Sequence, residues 1–343
     1  MKDLIKKLSG MHGISGFEHR INREIEALLS PFCDETKIDT LGNVIAVKRC
    51  GKKNAKKLLI EAHTDEIGLM VKNIDEQGFI TFVNVGGIDP RILPAIEVIV
   101  HGKKDLKGVI GAKPPHIQSD GEEEKAVKAE NKAIDTGLSA DEVKKLVSVG
   151  DSVTFAASAK ELADDQLTGK SLDDRASIAV LIEVLKSISN PSVDVYAVAA
   201  VQEEVGGFGA MTAGFSIYPD FAIAIDVCHG ITPDNSYCAY KVNGGTVITT
   251  GPNIHPAIFR MLKDAAEKSG IKYQIDVDGG NTGTDAWQLQ VVREGIPTGL
   301  LSIPLKYMHT LVETVSADDV KATADVVTAF INSLTGEEDF RCC

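Results

Sequence analysis

Leu58-Leu59-Ile60-Glu61-Ala62-His63-Thr64-Asp65 runs from three aliphatic residues into an imidazole and a carboxylate two positions apart. The aliphatic run reads as a strand buried on both faces, the kind that fills the middle of a parallel sheet. His63 and Asp65 then fall where an open α/β sheet places its chemistry, beyond the carboxyl end of a strand.

Working outward, the chain alternates between two periodicities. Residues 17–30 put Ile21, Ile25, Leu28 and Leu29 on one helical face, and 44–47 read as a strand. Residues 177–188 carry Ile178, Leu181, Ile182 and Leu185 at helical spacing, followed by strands at 193–201 and 221–227. A helix at 258–268, a strand at 298–303 and a helix at 318–334 complete the pattern. Strands separated by helices predict an α/β fold whose sheet is mixed but mostly parallel, with helices on both faces.

Residues 67–163 break this rhythm. Short strand-like runs at 68–71, 79–83, 98–100, 109–111 and 152–155 are punctuated by Gly86-Gly87, Asp89-Pro90 and Lys113-Pro114-Pro115. The division this predicts is an α/β domain made of residues 1–66 and 164–343, with a small, barrel-like all-β domain inserted at 67–163. The charged stretch 121–133 reads as an exposed loop or helix edge.

Composition narrows the function. The 343 residues are 43% hydrophobic but only 5% aromatic, so the core is aliphatic. A formal net charge of -13 argues against binding to nucleic-acid phosphates or anionic membranes and suits the handling of peptides or small molecules. Met1 to Leu8 is an amphipathic helical pattern without an apolar leader core, and no apolar run is long enough to span a bilayer, so a cytoplasmic protein is expected. The six cysteines (Cys33, Cys50, Cys228, Cys238, Cys342 and Cys343) form no C-x-x-C pair and read as reduced thiols. Cys342 and Cys343 lie on a terminal tail and make poor zinc ligands.

Metal-competent side chains recur at strand ends. Asp173 and Asp174 precede a helix, Glu203 and Glu204 follow the apolar run 198–201, Asp226 closes its strand and His309 follows the strand 298–303. Each has a plain structural reading: Asp173-Asp174 as helix-capping acids, Glu203-Glu204 as a solvated turn. Asp226 resists one, because a carboxylate in an apolar strand needs a partner. As a set, two imidazoles and several carboxylates suit Zn²⁺, Co²⁺ or Mn²⁺ better than Ca²⁺ or Mg²⁺. Adjacent Glu203 and Glu204 leave the backbone in different directions, so one can ligate while its neighbour serves as a base.

With these residues in view, the chain resembles the dinuclear-metal aminopeptidases that include the glutamyl, deblocking and tetrahedral (TET) enzymes. The resemblance covers nearly the whole chain. It rests on Ile14-Ser15-Gly16-Phe17-Glu18, Ala62-His63-Thr64-Asp65-Glu66-Ile67-Gly68, Lys113-Pro114-Pro115-His116, Leu172-Asp173-Asp174-Arg175, Gln202-Glu203-Glu204-Val205-Gly206, Gly283-Thr284-Asp285-Ala286 and Tyr307-Met308-His309-Thr310. It implies two divalent ions per subunit, Zn or Co, with Mn a further option. His63 and Asp226 would hold one, Glu204 and His309 the other, and Asp173 would bridge them, with a cis peptide bond after it. Glu203 would be the general base and Asp65 would orient His63. The resemblance further implies short peptide substrates with a free amino end, an inserted domain that mediates assembly, and a homo-oligomer, a dodecamer built from dimers. Lys306, where many relatives have Arg, and Thr310, where Ser is frequent, are departures that bear on the substrate pocket. The same constellation could serve an N-acyl amino acid deacylase or another amidohydrolase. A glucanase, which needs only two carboxylates flanking a sugar, and a non-catalytic scaffold account for less of the set.

The other histidines are weaker candidates: His12 and His19 near the start, His101 and His116 in the inserted domain, His255 at a helix start, and His229, which lies close enough to Asp226 to approach the site. Gly206-Gly207-Phe208-Gly209 lacks the spacing of a nucleotide loop and reads as a tight turn that starts a helix near the metals. Residues 279–285 read as a flexible loop near the substrate pocket, with Asp285 lining the pocket or capping a helix. Lys241 and Lys306 are the cations that could favour acidic substrates.

Overall fold

The computed structural model describes residues 1–118 and 132–340. The chain opens with helices α1 (Lys2–Ser9) and α2 (Asn22–Leu29), then strands β1 (Glu35–Ile38), β2 (Val44–Lys48) and β3 (Lys57–His63). Six strands follow: β4 (Gly68–Ile74), β5 (Ile80–Val85), β6 (Ile96–His101), β7 (Asp105–Ile110), β8 (Ile134–Asp135) and β9 (Ser152–Phe155), with α3 (Ala140–Leu146) before the last. Short strands β10 (Lys160–Glu161) and β11 (Gln166–Gly169) lead back to α4 (Leu172–Ser187), β12 (Asp194–Ala200), α5 (Phe208–Ile217) and β13 (Phe221–His229). The chain continues through β14 (Thr246–Thr250), α6 (Pro256–Lys268), β15 (Tyr273–Val277), α7 (Asp285–Leu289), β16 (Thr298–Leu305), β17 (Glu313–Ser316) and α8 (Ala317–Ser333).

The central sheet has the order β1-β2-β12-β3-β13-β16-β14-β15. Its middle strands β12, β3, β13 and β16 are parallel, so their carboxyl ends share one edge. Aliphatic side chains cover both faces. Residues of α1, α2, α4, α6 and α8 pack on one side, and Ala210, Ala213, Ile217, Ala286 and Leu289 of α5 and α7 pack on the other. Helix α4 is buried almost all round, as a helix at the middle of a core must be, and each fully buried Leu or Ile contributes about 1.5–3 kcal/mol.

Strands β4 to β9 close into a barrel of order β4-β5-β8-β7-β6-β9 around its own apolar core. Two polar devices lie where this barrel joins the α/β body. Glu66, just before β4, is fully buried with Lys170, whose Nζ donates to its Oε2 at 2.6 Å and to the carbonyl of Met11 at 2.7 Å. A buried pair of this kind is costly to break from one side. Farther round, Thr154 sits between His12 Nδ1 (2.9 Å) and His101 Nε2 (2.8 Å).

Two local expectations change. The helix expected at 17–30 is divided: a 3₁₀ turn spans Glu18–Arg20, and α2 begins only at Asn22. Glu18 is turned inward to accept backbone N–H groups of Gly16 and Gln202, which keeps its segment out of the regular helix. Residues 121–131 of the charged stretch lie outside the described residues, as do Cys342 and Cys343; Lys132, at the end of that stretch, is buried. Among the described residues, no helix is long and apolar enough to cross a membrane.

Candidate metal centre

The carboxyl edge of the parallel strands gathers the polar residues. β3 ends at His63, β12 leads to Glu203 and Glu204, β13 carries Asp226, and β16 leads to His309. Asp173 and Asp174 do not cap α4 in the ordinary way: both have non-helical backbone angles, and the peptide bond between them is cis.

Asp173 stands at the middle. Its Oδ1 is 3.2 Å from His63 Nε2 and its Oδ2 is 3.3 Å from His309 Nε2, so the two carboxylate oxygens face different imidazoles. Asp226 Oδ1 lies 4.0 Å from His63 Nε2, and Glu204 Oε1 lies 3.2 Å from His309 Nε2. The result is two donor triads, His63–Asp173–Asp226 and Asp173–Glu204–His309, with the ligand atoms of each within 4.8 Å of one another. Glu203 belongs to neither triad, but its Oε2 comes to 3.9 Å from His63 Nε2.

The electrostatics fit cations at this place. Burial pushes Glu203 up to about 10 and Asp226 up to about 8, and like-charged neighbours add to both shifts. Burial works against the charged form of His309, but its hydrogen bonds to Asp173 and Glu204 prevail and raise it to about 11. Asp173 is likewise buried, and the two histidines hold it below the usual carboxylate range. A site that must recruit protons to balance its carboxylates presents the oxygen and nitrogen donors that divalent ions of the Zn, Co or Mn type accept.

A ring of further residues fixes these donors, and most of them carry no signature in the sequence. Asp65 is fully buried; its Oδ1 accepts the N–H of Glu203 (3.1 Å), and its Oδ2 accepts the N–H of Glu204 (3.1 Å) and the hydroxyl of Ser15 (2.5 Å). Its approach to His63 Nδ1, at 3.4 Å, falls short of a hydrogen bond. Asp65 therefore holds the Glu203-Glu204 turn at least as firmly as it faces the imidazole. Burial opposes its charge, but the neighbouring His63 above all, with Ser15 and the N–H of Glu203, keeps it below the usual carboxylate range. Glu313, also buried, accepts the N–H groups of Leu172, Asp173 and His309. The barrel contributes as well: the carbonyl of Gly87 lies 2.8 Å from His309 Nδ1. A Cβ on Gly87 would stand 3.1 Å from that nitrogen, which explains a glycine there.

Glu61 and Asp285 form a second buried acidic pair. Burial and their mutual repulsion hold Glu61 well above the ordinary range; burial likewise lifts Asp285, to about 6. Asp285 is the first residue of α7 and lies beneath the cavity wall, whereas Thr282, Gly283 and Thr284 of its loop reach the surface of the cavity. Gly207 starts α5 with φ +71°, and a Cβ there would meet Asp285 Oδ1 at 2.7 Å, so the tight turn brings the two segments together.

The centre opens into a cavity of about 800 Å³ whose wall includes His229. His255 stands away from it at the start of α6, and His101 is tied to Thr154 and Asp105. His116 lies in a 3₁₀ turn of the inserted segment. Neither Lys241 nor Lys306 lines the cavity; Lys306 Nζ instead donates to Gln166 at 3.4 Å.

The chain is similar to known proteins along nearly its whole length. The family model described as M42 glutamyl aminopeptidase matches residues 42–326. A lysyl aminopeptidase of Pyrococcus furiosus is 35% identical, over 97% of this chain and 97% of its own. Among solved structures, an aminopeptidase of Desulfurococcus kamchatkensis superposes with a TM-score of 0.91 at 36% identity, covering 98% of this chain and 95% of its own. The Pyrococcus horikoshii TET1 peptidase, described as assembling into a tetrahedron or a large octahedral shell, gives 0.86 at 33%, covering 97% and 99%.

Proposed function

The chain belongs to the M42 glutamyl aminopeptidase family and is a hydrolase of peptide bonds, and from that premise we propose that it removes residues from the free amino end of short peptides with two divalent ions and Glu203 as general base. The observation that carries this reading is the pair of donor triads sharing Asp173, with Glu203 beside them but outside both.

His63, Asp173 and Asp226 would hold one ion, and Asp173, Glu204 and His309 the other. Bound there, the ions would polarise the scissile carbonyl and ease deprotonation of water, whether they are zinc, cobalt or manganese. The remaining work falls to the protein. Glu203 takes a proton from the attacking water and delivers it to the leaving amine, from a position beside the donor triads but outside both. Asp65 keeps Glu203 and Glu204 pointing to separate duties by gripping both of their N–H groups. Glu313 holds Asp173 and His309 from behind through backbone N–H groups. The crowded acidic donors favour a substrate's free ammonium over a blocked end, which separates this reading from a deacylase.

The test compares aminoacyl p-nitroanilides with their N-acetylated forms, using wild type, Glu203→Gln and Glu203→Ala loaded with each metal in turn. Hydrolysis of free-amine substrates alone, lost by 10²-fold or more in both variants at unchanged metal content, supports the reading. Full activity of Glu203→Ala removes the base assignment, and cleavage of the acetylated substrates alone moves the enzyme to the deacylases. The names of the relatives leave the preferred first residue open, since both glutamyl and lysyl appear among them. For assembly we propose a cytoplasmic homo-oligomer, a dodecamer built from dimers and joined through the barrel domain, on the strength of the shell-forming TET1 relative. Light scattering behind size exclusion would show a much smaller particle if that is wrong.

A further inference from the structure

Resting on the aminopeptidase reading, we propose that the first residue accepted is basic, Lys or Arg, and that Asp276 and Asp278 on the far wall of the cavity select it. The cavity is continuous with the metal centre and runs across the face of the sheet. Residues two apart on a strand share a face. Asp226 of β13 pairs with Ser302 of β16, and Thr249 of β14 pairs with Asp276 of β15; all four line the cavity. Its floor therefore leads from the ligand Asp226, past Ser302 and Thr249, to a carboxylate.

The charge at that end is of one sign. Asp276 receives only hydroxyls: that of Tyr240, and that of Thr249 at 3.2 Å. Asp278 receives the N–H of Gly280 at 2.9 Å. Neither is ion-paired, and among the described residues no Lys or Arg lines the cavity. Hydroxyl and amide donors satisfy some lone pairs but leave two negative charges facing the lumen. An acidic side chain placed there would meet repulsion with no cation to offset it, and an aliphatic one would strip water from carboxylates without replacing it. An ammonium or guanidinium supplies the missing charge.

The reach agrees. Asp276 stands three strands from Asp226 and two residues further along, about 16 Å between backbones at ordinary strand spacing and rise. That span has room for the reacting carbonyl and an extended long side chain and is far beyond the reach of Ala or Ser. Leu300 and Met308 give the aliphatic stem of such a side chain an apolar surface on the way.

The decisive experiment measures kcat/KM for Lys-, Arg-, Met-, Leu- and Glu-p-nitroanilides with wild type, Asp276→Asn, Asp278→Asn, the double variant and Asp278→Lys. Wild type should favour Lys and Arg over Met at least tenfold, with Glu the poorest. The Lys-to-Met ratio should fall towards one in the double variant, chiefly through KM, and Asp278→Lys should raise Glu relative to Lys. Asn keeps an acceptor for the hydroxyls of Tyr240 and Thr249, so a merely structural role for Asp276 would lower all substrates together and leave the ratio in place. A wild-type preference for Met, Leu or Glu, or a Lys-to-Met ratio unmoved in the double variant, overturns the inference while the aminopeptidase reading stands. Silence towards every free-amine substrate with metals bound overturns that reading, and the inference with it.

Discussion

Replacing Asp65 by Asn changes almost no volume and yet should impair the centre. The carboxylate accepts three hydrogen bonds, from the N–H groups of Glu203 and Glu204 and the hydroxyl of Ser15. An amide has one oxygen. If its nitrogen takes the Oδ1 position, the N–H of Glu203 faces another donor. If it takes the Oδ2 position, Ser15 can rotate and accept, but the N–H of Glu204 is stranded. The second orientation is the cheaper. A buried unpaired N–H costs about 1–3 kcal/mol, and the surviving bond loses its charge assistance, about 1 kcal/mol more. The total of about 2–4 kcal/mol divides between a lower melting temperature and a displaced Glu203-Glu204 turn. If half is felt in the transition state, kcat/KM falls roughly 5–30-fold. Ser15→Ala is the control: it removes one of the three bonds and should cost no more than about 1 kcal/mol in all. The assay pairs thermal unfolding with steady-state kinetics at saturating metal. An Asp65→Asn enzyme that melts with wild type and works within twofold of it would refute the argument that Asp65 positions the pair.

Gly87→Ala brings a methyl to 3.1 Å from His309 Nδ1 and should lower activity and metal retention roughly 10–100-fold without unfolding the protein, read by kinetics and metal analysis after dialysis. Glu313→Ala removes one acceptor from three N–H groups and should cost about 2–4 kcal/mol in chemical denaturation; Glu313→Gln, which keeps one oxygen, should recover part of it. Burial, assisted by the Lys170 charge, pushes His12 down to about 4, so its folded pKa lies below the unfolded value near 6.5. The stability it contributes is therefore present above pH 6.5 and lost as pH falls towards 4. Because water still screens part of the ring, the loss should be about 1–2 kcal/mol, and His12→Gln should flatten that section of a stability–pH curve. Removing divalent ions with a chelator should abolish peptide hydrolysis and destabilise the fold, and restored metal should return both; a chelated enzyme that keeps its rate contradicts the centre.

The layered α/β body was legible because each central element declares itself locally. The run 58–63 and the strand at 221–227 are buried on both faces, so hydrophobicity alone marks them. The polar residues that interrupt or follow them were conspicuous for the same reason. What could not be read is work done through the backbone. Glu313 supports Asp173 and His309 by accepting N–H groups, a service any carboxylate can perform and no spacing announces. The contact between Gly87 and His309 spans 222 positions and uses a carbonyl, so only the glycine pair 86–87 hinted at a close approach. The break before α2 was hidden because Ile21 and Ile25 keep helical spacing across it, while the cause, Glu18 reaching Gln202, is tertiary.

The carbonyl of Gly87 gives the two halves of the centre unequal foundations. His63, Asp173 and Asp226 are all rooted in the α/β body. His309 is steadied from the barrel, which has a core of its own. Any tilt of one body against the other is therefore felt first at His309, while the inner triad stays in register. Movement between the bodies becomes a change in one ligand's aim. An assembly that grips the barrel would thereby also hold the outer half of the chemistry in place.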